Sequence, residues 1–441
     1  MFASVSIDTR SLQPGALYVA LRGANFDGHR FVSQAVAAGA RGVVVERSFD
    51  ASALPADITV LQVADTLLAL QQMGHAARQT LSGPLIAVTG SNGKTSTRQL
   101  IASVLSAHYG AGAVLATEGN LNNHIGVPLT LLRLRPTHAA AVIELGMNHF
   151  HELELLSSLA QPDIAVITNA GPAHLEGVGS LAGVAEAKAE VFVGMRAQGM
   201  AVLNADDHFL PYWEVVNRSR RILRFGMSDR ADVRGRYDAA ANTLTLDDVA
   251  TPMSLAFAGE HNARNALAAV AVARALNIPE AGQRQGLATA TNIGGRLTRK
   301  TLAPNVEAID DSYNANPASV RAGLQVLLRE PGRTVMVLGD MAELGDESPK
   351  LHVELLRDIA ASAVTHVFTL GVRTAVAASA LAAEIPASRI RAFEQIDKLV
   401  NQLQCEIAAS SAPLTLLVKG AHSMAMHRVI DRLASGTGEN P

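Results

Sequence analysis

Apolar positions in this chain come as short uncharged runs with helical patterns between them. Leu85-Ile86-Ala87-Val88-Thr89 carries no charge at all, the pattern of a strand covered on both faces. Comparable runs recur at residues 113–116, 139–143, 164–167 and 200–203, with helix-like segments between several of them. That alternation predicts a mostly parallel sheet with helices on its faces. A second series, at residues 306–309, 334–338, 366–370 and 414–418, predicts another sheet of the same kind. Ahead of both, residues 16–21 and 42–45 read as strands, residues 31–38 as a helix ended by Gly39, and residues 66–80 as a further helix. Period-two alternation at Thr243-Leu244-Thr245-Leu246 and at residues 253–257 predicts an antiparallel insertion or extension, and residues 260–276 an alanine-rich helix.

Two punctuated stretches divide these series, Ser82-Gly83-Pro84 and Gly294-Gly295-Arg296. The expected fold is therefore α/β in three domains. A small N-terminal α/β domain spans residues 1–82, a central parallel-sheet domain residues 83–296, and a C-terminal Rossmann-like domain residues 297–441. A length of 441 residues agrees with roughly 150 per domain. The third domain has no G-x-G-x-x-G, so a dinucleotide site is not supported. Residues 435–441 are expected to fray.

Composition narrows the function. Net charge is −3 and no basic block stands out, which argues against a nucleic-acid partner. The single cysteine, Cys405, excludes an internal disulfide and reads as a small core residue. The first twenty residues lack the sequence of a signal peptide, and no apolar run reaches membrane-spanning length, so a soluble cytoplasmic protein is expected.

The chemistry begins at the end of the first central strand. Gly90-Ser91-Asn92-Gly93-Lys94-Thr95-Ser96 follows it and opens a helix with Leu100, Ile101, Val104 and Leu105 on one face. Glycines let backbone N–H groups approach an anion, and the helix N-terminus attracts phosphate. Lys94 adds a mobile charge and Thr95 a hydroxyl for magnesium. The usual phosphate loop carries a further glycine where Val88 stands, so the pattern here is the shorter Gly90-x-x-Gly93-Lys94-Thr95.

Other strand ends carry polar groups as well. Glu144 closes its strand beside the phosphate loop, where a carboxylate can hold magnesium. Thr168-Asn169 and Asn204-Ala205-Asp206 end two more. His174 sits in a Gly/Pro loop, and Lys188 lies between Glu186 and Glu190. By pattern alone the first reads as a surface histidine and the second as a solvated helical lysine. Asp8-Thr9-Arg10, Arg22-Gly23 and Asp27-Gly28-His29 read as ordinary turns. In the third domain Asp310-Asp311-Ser312-Tyr313-Asn314-Ala315-Asn316, Gly339-Asp340-Met341-Ala342-Glu343-Leu344-Gly345 and Lys419-Gly420 each follow a strand, like a lid over the central site.

These motifs together resemble the Mur ligases, ATP-dependent amide ligases that build the peptide of the bacterial cell-wall precursor. The phosphate loop, His261-Asn262 with Asn265, and Arg296 are shared with that whole family and its folylpolyglutamate synthase relatives. Glu118-Gly-Asn-Leu-Asn-Asn-His-Ile-Gly-Val-Pro128, Val142-Ile-Glu-Leu-Gly-Met-Asn148, Ala173-His-Leu-Glu-Gly177 and the third-domain motifs resemble the branch that adds D-alanyl-D-alanine to UDP-N-acetylmuramoyl-tripeptide. The resemblance implies ATP held by Gly90, Ser91, Asn92, Gly93, Lys94, Thr95, Ser96, Asn262, Asn265, Arg296, Asp311 and Tyr313. It implies two magnesium ions, one on Thr95 and Glu144 and one attended by His174 and a carbamylated Lys188. Thr9, Arg10, Asp27, Gly28 and His29 would lie at the UDP end of the substrate and Asn122 and Asn123 along its sugar–peptide path. Lys94, Glu144, His174, Lys188 and Arg296 would serve catalysis in a monomer. Sister ligases, folylpolyglutamate synthase and a simple phosphate-loop NTPase or phosphotransferase are the competing readings. One departure is the Asp8-Thr9-Arg10 motif at residue 8, where family members carry a further short segment; a missing edge strand would weaken the first domain.

Overall fold

The computed structural model describes residues 2–23, 25–291, 294–386 and 388–436. Residues 437–441, most of the tail expected to fray, lie outside the described residues. Three main sheets form. The central one has nine strands, in spatial order Met253–Ser254, Thr243–Leu246, Val233–Asp238, Arg221–Gly226, Met200–Asn204, Ile164–Ile167, Leu85–Thr89, Ala140–Glu144 and Val114–Ala116. From Val233–Asp238 to Val114–Ala116 all pairings are parallel. The two strands beyond Val233–Asp238 are antiparallel, so the period-two region extends this sheet. Successive side chains of Leu85–Thr89 go to opposite faces: Ile86 and Val88 join one core, Leu85 and Ala87 the other. Two packed faces explain why this strand carries no polar alternation.

Strand order reverses at Leu85–Thr89. The chain leaves it toward Val114–Ala116 on one side and later returns to Ile164–Ile167 on the other. In open parallel sheets the crevice beyond the strand ends at such a reversal receives ligands. Register brings the ends level, with Val88 opposite Glu144 and Thr89 opposite Ile167.

The third-domain sheet has six strands, ordered Thr298–Ala303, Val306–Asp310, Leu414–Lys419, Arg333–Gly339, His366–Leu370 and Ile390–Phe393. Its two outermost strands are absent from the sequence reading. Both are edge strands with mostly solvent-facing positions, so neither carries an apolar run. The same reason hides Thr59–Val63 at the edge of the first-domain sheet. The opposite edge of that sheet is Val5–Ser6, paired in parallel with Leu17 and Tyr18.

Gly83 is not a loose hinge. A Cβ there would meet the Ala139 carbonyl oxygen at 1.8 Å, so glycine is needed for close packing. Arg78, at the end of helix Thr66–Arg78, fixes the first domain to the second. It is fully buried and donates to Ala160 O at 2.7 Å, Gln161 O at 3.1 Å and Asp163 Oδ2 at 2.9 Å. Cys405 is exposed, not a core residue. Among the described residues no helix is long and apolar enough to cross a membrane.

Candidate active site

The carboxyl edge of the central sheet and the facing edge of the third domain enclose a cavity of about 1060 Å³. Helix Lys94–Tyr109 begins in it, directly after the loop. Gly90 has φ 145° and Gly93 φ 79°, backbone regions open to glycine. Space forbids a side chain too: a Cβ on Gly90 would sit 1.8 Å from Thr168 Oγ1, and one on Gly93 2.4 Å from Asn265 Oδ1. The loop is braced by the end of the neighbouring strand. Asn92 N donates to Asn169 Oδ1 (3.0 Å), Asn92 O accepts from Thr168 Oγ1 (2.6 Å) and Asn169 Nδ2 (3.0 Å), and Ser91 Oγ accepts from Gly171 N (2.9 Å). Asn265 donates to Asn262 Oδ1 (3.1 Å), completing a wall of amides. Lys94 Nζ folds back on the carbonyls of Gly90 (2.7 Å) and Ser91 (3.3 Å), and burial lowers its pKa. These contacts keep the loop shaped for an anion and its lysine close by.

Glu144 is buried and held from two sides. Asn122 Nδ2 donates to Oε1 at 2.9 Å, and Arg98 Nε lies 3.4 Å from Oε2. Arg98, also buried, is a residue sequence reasoning missed. Its signal was present: an arginine at helical spacing from Lys94, Ile101 and Leu105 lies in phase with the inward face.

Lys188 overturns its sequence reading. It is fully buried rather than solvated, its Nζ has no hydrogen-bond partner, and burial pushes its pKa well below the ordinary lysine value, toward the neutral amine. His174 is likewise no surface histidine. It lines the cavity with a left-handed φ of 59°, and its Nδ1 lies 2.7 Å from Glu343 Oε2, in contact but off the line of a hydrogen bond. Burial lowers its pKa, and the Glu343 carboxylate opposes that.

The third domain reaches in with several groups. Asn316 Nδ2 donates to Asn92 Oδ1 at 2.7 Å, tying the phosphate loop to the cap of helix Pro317–Leu327. Lys419 Nζ bonds Asp311 Oδ2 at 2.5 Å and Asn314 O at 3.0 Å, setting the loop that carries Tyr313. The Arg296 guanidinium stands 4.2 Å over the Tyr313 ring, a cation–π contact. Asp340 does not face the cavity. It accepts from Arg373 N and Thr374 N and caps helix Val372–Ala380, leaving Glu343 as the motif's cavity-facing charge.

Most predicted site residues meet here: Ser91, Asn92, Gly93, Lys94, Ser96, Asn122, Asn123, Glu144, His174, Asn262, Asn265, Arg296, Asp311 and Tyr313 all line the cavity. Gly90 and the buried Thr95 support its floor from the loop, and Lys188 is buried behind its wall, near enough for its charge to act on His174. Thr9, Arg10, Asp27, Gly28 and His29 are not brought to it. Arg10 is exposed and paired with Asp8 at 2.6 Å. His29 Nδ1 is 2.7 Å from Asp27 Oδ1, and its Nε2 accepts from Glu46 N at 3.0 Å, so this histidine shapes its own loop.

The donor set fits magnesium. Among the described residues no group of three or more His, Cys, Asp or Glu could hold a metal alone. Magnesium needs only one or two carboxylates when substrate phosphates and water complete its shell. Glu144 and Thr95 meet that need, and the unpartnered Lys188 amine fits a lysine that acquires an anionic carbamate.

Three family models match the chain: "Mur ligase family, catalytic domain" over residues 2–78, "Mur ligase middle domain" over 88–273 and "Mur ligase, glutamate ligase domain" over 295–422. UDP-N-acetylmuramoyl-tripeptide--D-alanyl-D-alanine ligase of Escherichia coli K12 is 39% identical, over 98% of this chain and 93% of its own. The crystal structure of MurF from Acinetobacter baumannii superposes with a TM-score of 0.88 at 37% identity, covering 98% and 93% of the two chains. The MurF ligase of Thermotoga maritima, solved in complex with ADP, shares the fold at a TM-score of 0.83 and 24% identity, over 98% and 97%.

Proposed function

The chain belongs to the Mur ligase family, and from that premise we propose that it joins D-alanyl-D-alanine to UDP-N-acetylmuramoyl-tripeptide at the expense of ATP, giving ADP, phosphate and the UDP-N-acetylmuramoyl-pentapeptide of peptidoglycan synthesis. The observation that carries this reading is the convergence of phosphate loop, Glu144, His174 and third-domain loops on one cavity. The protein acts as a cytoplasmic monomer, its three domains dividing near residues 82 and 296.

A carboxylate cannot expel oxide, so the tripeptide's terminal carboxylate first takes the γ-phosphate and becomes an acyl phosphate. The dipeptide amine then attacks that carbonyl, the C–O bond breaks and phosphate leaves. Two anions must meet in the first step. Lys94, Arg296 and the backbone N–H groups of residues 90–96 stabilise the charge that gathers there. Thr95 and Glu144 would hold one magnesium ion and His174 with a carbamylated Lys188 a second, and each ion would supply neutralising charge. Asn262, Asn265, Arg296, Asp311 and Tyr313 approach the nucleotide. Asn122 and Asn123 line the tripeptide's path, and Thr9, Arg10, Asp27, Gly28 and His29 form the uridine end, outside the central cavity. Closure of the third domain excludes water from the acyl phosphate.

The test is phosphate release from Mg-ATP with the UDP-tripeptide, with and without D-alanyl-D-alanine. Release that needs both, with pentapeptide seen by mass, is expected. Release indifferent to the dipeptide points to an NTPase. Lys94→Ala is expected to abolish ligation, and near-normal turnover in that variant would sink the phosphate-loop assignment.

A further inference from the structure

Among the described residues six carboxylates face the cavity, and five are already committed. Glu144 is held by Arg98 and Asn122, and Asp311 by Lys419. Asp206 accepts from Met227 N and Ser228 N and pairs with Arg264 at 3.3 Å. Asp207 accepts from Ala170 N and Phe209 N, and Glu152 from Asn148 N and His149 N. Each of those contacts comes from a backbone N–H, an amide or a permanent cation, and fixes its loop. Glu343 differs. Its contact in the structure is the His174 ring, and its side chain is 46% accessible, close to the 41% of Glu152 and well above the 14% of Asp311, 16% of Asp206 and 3% of Glu144.

Backbone geometry marks the same residue. Glu343 has φ 62°, a left-handed conformation that costs a non-glycine residue free energy. Across the domain boundary His174 shares that conformation. Two strained residues from different domains therefore meet at the cavity, and the Glu343 side chain is held there by its unusual backbone. On the phosphate-loop side the cations Lys94 and Arg296 face the same cavity, and Lys94 is near enough for its charge to act on Glu343. An incoming ammonium group is repelled by such a floor unless an anion receives it.

We propose that Glu343 is the anchor for the ammonium group of the incoming D-alanyl-D-alanine, an assignment that rests on the ligase reading above. A zwitterionic dipeptide carries its nucleophilic nitrogen as a primary ammonium, which releases one proton before it attacks. Glu343 accepts hydrogen bonds from that group, with the ammonium taking the place of the His174 ring. The donor comes from the third domain, so closure carries the nucleophile toward the acyl phosphate. Glu343 is thereby a specificity residue for α-amino acceptors over neutral or anionic ones.

The experiment compares wild type with Glu343→Gln and Glu343→Asp. For Glu343→Gln the KM for D-alanyl-D-alanine is expected to rise at least about tenfold, the scale of a lost hydrogen bond to a charged group. The KM values for ATP and the UDP-tripeptide stay within about twofold. Glu343→Asp keeps the charge and falls between the two. Hydroxylamine, a small neutral acceptor that needs no anchor, separates the steps: hydroxamate formation from ATP and tripeptide continues in Glu343→Gln. Thermal unfolding of both variants checks folding, and the exposed position predicts no change. An unchanged dipeptide KM in Glu343→Gln overturns the anchor. So does parallel loss of hydroxamate, or an altered magnesium requirement for it, since Glu343 would then serve the phosphate end. A wild-type protein that forms hydroxamate yet never couples the dipeptide overturns the ligase reading and the anchor with it.

Discussion

Among the described residues two cations are buried completely, Arg78 and Lys188, and their surroundings are opposite. Arg78 donates to three backbone carbonyls and to Asp163, whose Oδ2 also accepts from Leu85 N. Its charge is fully answered at the junction of the first and second domains. Lys188, on helix Leu181–Ala189, has no hydrogen-bond partner. Burying an unpaired ammonium costs several kcal/mol, and burial pushes the Lys188 pKa down, toward the neutral amine. A satisfied buried cation fixes structure. An unsatisfied one beside a ligand cavity is a position held open for chemistry.

The sharpest test of this contrast is Lys188→Met. Because no bond is lost, the thermal midpoint should hold or rise. Activity, by phosphate release, should fall on the order of a hundredfold or more if a carbamate there supports catalysis. Carbon-13 bicarbonate should give wild-type protein a carbamate carbonyl resonance that Lys188→Met lacks. A stability loss with intact activity would reverse the argument.

Arg78→Met should do the reverse. Removing the cation leaves the carbonyls of Leu81, Ala160 and Gln161 without this donor and Asp163 without its buried guanidinium, at about 3 kcal/mol or more. Urea unfolding should show it, while turnover per folded molecule stays within about twofold. If turnover falls and stability does not, the junction is part of the active site and the contrast between the two cations fails.

Lys188 shows why one half of this was illegible in the sequence. Its neighbours Glu186 and Glu190 give the local pattern of a solvated face, and the alanines around it carry no amphipathic signal. Its burial is a tertiary fact, made by packing against the central sheet. The phosphate loop was legible because strand, glycines, Lys94 and helix are contiguous, and local geometry decides them. Arg98 was half legible, in phase with Ile101 and Leu105 but without a visible partner. Thr298–Ala303 and Ile390–Phe393 were hidden because edge strands need no apolar alternation. The loop of Asp27 and His29 was placed from motif resemblance, and the structure adds that its polar groups bond one another.

His261 gives a smaller effect that separates site from junction by pH. Burial pushes its pKa down to about 4 from 6.5. As pH falls from about 6.5 to about 4, the unfolded chain takes up the proton first, so stability is lost through that window. The full shift corresponds to about 3 kcal/mol, and the opening of this side chain to the cavity makes the real loss smaller. His261→Gln should flatten the decline between pH 6.5 and 4 in urea titrations. An unchanged slope would mean the histidine is already solvated in the folded protein.

The smallest expected effect tests whether the second junction is built differently from the first. The phosphate loop and the third domain meet through Asn316 Nδ2 and Asn92 Oδ1, one neutral hydrogen bond at 2.7 Å, where the first junction uses a buried guanidinium. One such bond is worth about 1 kcal/mol, little enough to open and reform in each cycle. Asn316 also caps helix Pro317–Leu327 by accepting from Ser319 N. Asn316→Ser keeps a capping oxygen but cannot reach Asn92, so the two roles come apart. Stability should be unchanged to within about 0.5 kcal/mol. The rate of ligation should fall about fivefold at saturating substrates, because the closed arrangement is less populated. Asn316→Ala, which loses the cap as well, should add about 1 kcal/mol of instability. Equal rates in Asn316→Ser and wild type would mean that this bond does not hold the closed arrangement, and that Asn316 serves only its helix.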